Sequence, residues 1–154
     1  MNYNSLLYYI GYPFNYEPYC QLWLSLFVLI YINSKTVSDI VRHSLLMING
    51  IYLIFILKEK LKSKRPLECK SPNNIEYCPE SYDIPSGHCF LAVYWLLVLY
   101  RNKIDYTLPL MFYLGVVPFT RYMSGVHTAK AVFVGSVLGC VWFLILNIME
   151  GVLF

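Results

Sequence analysis

Three short groups of basic and imidazole side chains follow one another along this chain, and together they could grip and cleave a phosphate ester. Lys58 is separated by six residues from Arg65-Pro66, Pro85-Ser86-Gly87-His88 opens an apolar run, and Arg121 is separated by five residues from His127. Cleaving such an ester requires neutralising charge on the nonbridging oxygens, an in-line nucleophile and a proton for the leaving oxygen. Arg65 and Arg121 offer planar forks for pairs of phosphate oxygens, and Lys58 adds a point charge. Pro66 fixes the backbone just after Arg65. The Ser86 and Gly87 amides, at the start of a helix, are expected to donate to the same anion with help from the helix dipole, and glycine lets the backbone come close. His88 and His127 supply groups that can attack and move protons. By chance, all three groups in this order would occur in roughly one chain in 10^5 of this length, so they are read as one oxyanion site.

Blander readings exist for each part. Lys58 to Arg65 could be a basic flank at a membrane surface, yet its spacing and the following Pro66 fit the phosphate reading better. The histidines could ligate haem in a helical bundle, but a haem site has little use for the cations of Lys58, Arg65 and Arg121. His43, beside Arg42, is read as interfacial, and Lys60, Lys62 and Lys64 as solvated or in contact with headgroups.

These side chains must be positioned by helices in a membrane. The chain has 154 residues, 58% of them hydrophobic and only 14% charged, too apolar for a soluble domain of that size. The expected fold is all-α: one membrane-embedded domain over residues 1–154, a polytopic transmembrane bundle of about five spanning helices behind an N-terminal interfacial segment. Residues 1–18, rich in tyrosine around Gly11 and Pro13, form that segment. The spans are expected at 19–32, 38–57, 86–100, 105–119 and 129–149, with a polar loop from Lys58 to Asp83 and a short connection over 120–128. Ser86 is the expected cap of the third span. Helix counting then puts Lys58, His88, Arg121 and His127 on one face of the membrane. The third and fourth spans are short, which suggests a site at headgroup depth.

Gly135 and Gly139 make a Gly-x-x-x-Gly face, read first as packing within the bundle and second as a homo-oligomer contact. The net charge of +3 reflects the cluster around Lys58 to Arg65 rather than a basic surface, so nucleic acid is not an expected partner. Cys20, Cys69, Cys78, Cys89 and Cys140 include no Cys-x-x-Cys pair, so a structural zinc is not expected. Cys69 and Cys78 share the polar loop and could pair in an oxidising compartment. No cleavable signal peptide is expected.

The motifs at Lys58 to Pro66, Pro85 to His88, and Arg121 with His127 resemble those of the type 2 phosphatidic acid phosphatase family, which includes lipid phosphate phosphatases, polyprenyl diphosphate phosphatases and glucose-6-phosphatase. The resemblance covers residues 58–131, all within the single domain. It implies an integral, multi-pass protein of the endoplasmic reticulum or plasma membrane. Family members are usually counted as having six spans, so the chain looks trimmed at its amino end. The resemblance assigns His127 as a nucleophile that forms a phosphohistidine and His88 as the acid for the leaving group. Lys58, Arg65, Ser86, Gly87 and Arg121 then bind phosphate, with no metal and no other cofactor.

The third motif departs from the family twice. Thr120 replaces a serine, keeping the hydroxyl. Ala131 stands four residues after His127, where the family commonly has an aspartate that orients the nucleophile. Glucose-6-phosphatase and the dolichyl diphosphate phosphatases have an amide there. The latter also look like this chain at His127-Thr128 and at Tyr82, three residues before Pro85, which favours a polyprenyl diphosphate substrate.

The expected function is therefore hydrolysis of a lipid phosphate or polyprenyl diphosphate in contact with membrane lipids. The alternative is a weak or inactive member that binds anionic lipid or scaffolds a partner, with Ala131 as its mark. On this reading Ala131→Asp is expected to raise activity, unless Asp83, Glu80 or a backbone carbonyl already holds His127.

Overall fold

The computed structural model describes residues 37–66, 82–101 and 108–153. Among these the chain is all-helical, with α1 at Val37–Leu61, α2 at Gly87–Arg101, α3 at Leu108–Met123 and α4 at Ala129–Leu153, and no strand. The N-terminal interfacial segment, the span at 19–32, and the loop residues Cys69, Cys78 and Glu80 lie outside the described residues.

α2 is the central helix. Its apolar body is enclosed: Cys89, Phe90, Leu91, Tyr94, Trp95 and Leu99 are all buried. Fifteen residues give it a rise of only about 22 Å, short of the roughly 30 Å of a hydrocarbon core. α4 packs along α2 at the two expected glycines. A Cβ on Gly135 would overlap the Ser86 carbonyl, and one on Gly139 would lie 2.6 Å from the Phe90 carbonyl. The Gly-x-x-x-Gly face is therefore occupied inside the molecule. α1 meets the pair at Gly50, where a Cβ would come within 2.6 Å of the Phe90 ring. Nearby, Trp142 Nε1 donates to the Leu46 carbonyl at 2.9 Å. Leu114 and Val117 of α3 complete the buried cluster.

Helix ends follow local chemistry. Ser86 caps α2 as expected, its Oγ accepting from the Cys89 amide at 3.5 Å. Thr128 caps α4, its Oγ1 accepting from the Ala131 amide at 3.2 Å. α1 ends at a left-handed Lys62 (φ 45°), whose amide returns to the Lys58 carbonyl at 2.9 Å. α3 differs from expectation. It runs past Phe119 to Met123, so Thr120 and Arg121 belong to its last turn rather than to a loop. Pro118 does not end the helix, and the turn comes instead at Gly125, whose φ of 69° suits glycine.

Among the described residues one stretch, Ala129–Ile148 of α4, is long and apolar enough to cross a membrane. Its exposed side chains Phe133, Val137, Val141, Leu144 and Ile148 lie at helical spacing, as do Val41, Leu45, Ile48, Tyr52 and Phe55 of α1.

Candidate active site

The ends of all four helices supply the expected residues. Lys58 comes from the last turn of α1 and Arg65 from the segment after it, His88 from the first turn of α2, and Arg121 from the last turn of α3. His127 comes from the turn before α4. His88 lies in the electrostatic fields of Arg121, His127, Lys58 and Arg65, so the fold brings these five together.

Backbone hydrogen bonds fasten the pieces. Arg65 Nη1 donates to the Val126 carbonyl at 2.8 Å, tying the segment after α1 to the residue before His127. The His127 amide donates to the Arg121 carbonyl at 3.2 Å. Lys58 Nζ donates to the Tyr82 carbonyl at 2.6 Å. Two of the cations thus hold neighbouring backbone, Lys58 at Tyr82 and Arg65 at Val126.

The Ser86 amide is placed otherwise than expected. It donates to the Ala131 carbonyl at 3.1 Å, so it fastens α2 to α4 instead of facing an anion. The physical reason is the close approach of α4 at Gly135, which brings the two backbones within bonding distance. Gly87 and His88 follow at the head of α2, where the first amides of a helix have no intrahelical acceptor.

The two imidazoles differ in their surroundings. His88 Nε2 is enclosed and has no hydrogen-bond partner among the described residues. His127 is 2% exposed and its Nδ1 lies 2.7 Å from Asp83 Oδ1. Asp83, itself 0% exposed, also accepts from Thr128 Oγ1 at 2.6 Å and from the Thr128 amide at 3.4 Å.

Burial pushes the His127 imidazole down to about 4, against the Asp83 hydrogen bond and with help from Arg65, Arg121 and Lys58. For Asp83, burial opposes ionisation, but the hydrogen bonds from His127 and Thr128 together outweigh it and hold the carboxyl below its ordinary value. The pair is therefore a carboxylate and a neutral imidazole, the form of histidine able to attack.

Ala131 is fully buried, with its carbonyl on the Ser86 amide and its own amide on Thr128 Oγ1. Asp83, Thr128 and Ser63 form a hydrogen-bonded set beside His127 that motif spacing does not reveal. A hydroxyl just ahead of an apolar helix is the signal that could have marked Thr128 as a cap. The sequence offered Asp83 only as one of three alternatives for holding His127, beside Glu80 and a backbone carbonyl. Among the described residues no group of three or more His, Cys, Asp and Glu is placed to hold a metal ion.

A family model described as the PAP2 superfamily matches residues 39–152 of the chain, taking in all three motifs and all four helices. No curated protein and no solved structure matches it.

Proposed function

The chain belongs to the PAP2 superfamily, and from that premise we propose that it is a multi-pass membrane phosphatase. It hydrolyses a lipid phosphate or polyprenyl diphosphate through a phosphohistidine on His127. Members of the superfamily are phosphatases and are generally membrane-associated, which supports a hydrolase of phosphate esters. The observation that carries the finer reading is the enclosed, unpartnered His88 Nε2 within the fields of Arg121, His127, Lys58 and Arg65. An imidazole without an acceptor, among cations, suits the bridging oxygen of a bound phosphate.

In this scheme Lys58, Arg65 and Arg121, with the Gly87 amide, hold the nonbridging oxygens. His127 Nε2 attacks phosphorus as the bond to the leaving oxygen breaks, and that oxygen takes the proton of His88. The phosphate dianion supplies the countercharge for a protonated His88. Water then attacks the phosphohistidine while His88 removes its proton, which releases phosphate and restores both imidazoles. The shortness of α2 supports a site near headgroup depth, within reach of a phosphate carried on a lipid.

Phosphate release by the purified protein in detergent, with lipid phosphate, polyprenyl diphosphate and sugar phosphate side by side, tests the reading. Turnover is expected on a lipid-borne substrate, with an acid-labile, base-stable label on the protein and inhibition by vanadate, which mimics the five-coordinate transition state. His127→Ala should abolish both label and turnover. Full turnover in that variant would sink the mechanism.

A further inference from the structure

We propose that Asp83 is the positioning residue for His127, supplying from the loop ahead of α2 the carboxylate that Ala131 does not offer from α4. The inference rests on the reading of His127 as nucleophile. It also changes the meaning of Ala131, from the mark of a weakened enzyme to the consequence of an acid placed elsewhere.

A carboxylate can only accept, so the 2.7 Å contact requires the proton of His127 to sit on Nδ1. Nε2 is then left with its lone pair for attack. Asp83 is itself held from both sides. Its carboxylate takes Thr128 Oγ1–H at 2.6 Å and the Thr128 amide at 3.4 Å, next to the amino end of α4, where negative charge is favoured. Its backbone is clamped to the turn after α1. The Asp83 amide donates to the Ser63 carbonyl at 3.0 Å and the Ile84 amide to Ser63 Oγ at 2.7 Å. One residue earlier, the Tyr82 carbonyl accepts from Lys58 Nζ at 2.6 Å. A buried loop segment fixed at consecutive residues can aim a side chain as well as a helix can.

Position 131 is enclosed. Ala131 is fully buried, and its backbone bonds to Ser86 and Thr128 fix where its Cβ lies. A carboxylate there would overpack the α2–α4 contact and add negative charge close to Asp83. Ala131→Asp is therefore expected to lower the rate, the reverse of the gain that motif comparison suggests.

The test combines kinetics with a readout that needs no turnover. The chain has 3 histidines, so 15N-histidine NMR in detergent micelles can be assigned by single substitution. In the wild-type protein His127 is expected as the Nδ1–H tautomer, and finding the Nε2–H tautomer there overturns the proposal without any variant. Asp83→Asn, whose amide can turn its N–H toward Nδ1, should shift His127 toward Nε2–H. It should lower kcat by about 10^2- to 10^4-fold with KM changed only a few-fold, the larger figure being the loss seen when a triad carboxylate is neutralised. Asp83→Glu should recover part of that loss. Wild-type kcat and tautomer in Asp83→Asn would remove Asp83 from the role. A wild-type protein that shows the Nδ1–H tautomer but forms no phosphohistidine would leave the positioning intact and overturn the phosphatase mechanism instead.

Discussion

In the proposed site Lys58 serves two needs at once, and they pull in opposite directions with pH. Its ammonium anchors the Tyr82 carbonyl while remaining within the field of the other cations. Burial, followed by the nearby Arg65 charge, pulls it from 10.5 down to about 8, with Asp83 opposing and Arg121 adding to the shift. A base whose folded value lies below its unfolded one carries fewer protons folded than unfolded between those two limits. The fold therefore gains stability as pH rises from about 8 toward 10.5. Anion grip moves the other way, because the uncharged amine has lost its attraction. Affinity for tungstate, an oxyanion of constant charge over this range, should fall roughly tenfold as pH rises through about 8, equivalent to one charge-assisted hydrogen bond. Lys58→Ala should bind more weakly at neutral pH and show no such fall. Parallel profiles for the two proteins would mean that Lys58 does not touch the anion.

At this scale the candidate groups were easier to read from the sequence than what holds them. Lys58 with Arg65, and Arg121 with His127, were legible as candidates because each pair is only a few residues apart, and His88 because it follows Pro85-Ser86-Gly87. The partner of His127 was legible only as one of several loop acids. Asp83 lies 44 residues from His127, and a long-range pair between a loop and a helix cap leaves no periodicity to read. The Ser86 amide misled for a related reason. Whether a helix-start amide faces a ligand or a neighbouring backbone depends on how closely the next helix approaches.

That approach is set at the level of elements by the small face of α4. Gly135 lies against the Ser86 backbone and Gly139 against the Phe90 carbonyl and the Tyr94 amide, so the first turns of α2 rest on α4 main chain to main chain. The Gly-x-x-x-Gly spacing predicted the packing, but not that it fixes the residue two positions ahead of His88. Gly135→Ala should cost about 1–3 kcal/mol, because a backbone carbonyl cannot swing aside as a flexible side chain can. It should also weaken tungstate binding by shifting the head of α2. Gly115→Ala is the control: nothing lies within 4 Å of its added Cβ, so stability should hold or rise by up to about 1 kcal/mol. Thermal unfolding of both variants in detergent measures the contrast. Equal stabilities would mean that α2 and α4 do not meet at Gly135. Helix limits were less legible than helix contacts. The polar stretch over 120–128 suggested an earlier end for α3, whereas Arg121 stays in the helix and the chain turns at Gly125.

For the whole molecule, the arrangement has a depth axis. The site residues occupy one end of the helices, while exposed Phe133, Val137, Val141, Leu144 and Ile148 run down α4 away from it. If lipid surrounds that stripe, distance along α4 becomes depth in the bilayer, and Cys140 is a built-in gauge. It is exposed, eleven residues beyond Ala129, hence about 17 Å along the axis from the head of α4, near the middle of a roughly 30 Å core. A thiol there meets no water and cannot form the thiolate that reacts with maleimides. In intact vesicles a membrane-impermeant maleimide should leave Cys140 unmodified from either side, and the same reagent should label it once the protein is unfolded in detergent; peptide mapping by mass spectrometry reads both states. Lys130→Cys, exposed at the head of α4, should react from one side only, and that side is the one on which phosphate is cleaved. Labelling of Cys140 in sealed vesicles would place α4 in water, and the headgroup-depth site would fall with it. Protection at Cys140 with one-sided reaction at position 130 would instead set the motif residues at a single bilayer surface, where a lipid-borne phosphate can reach His88 and His127 without leaving the membrane.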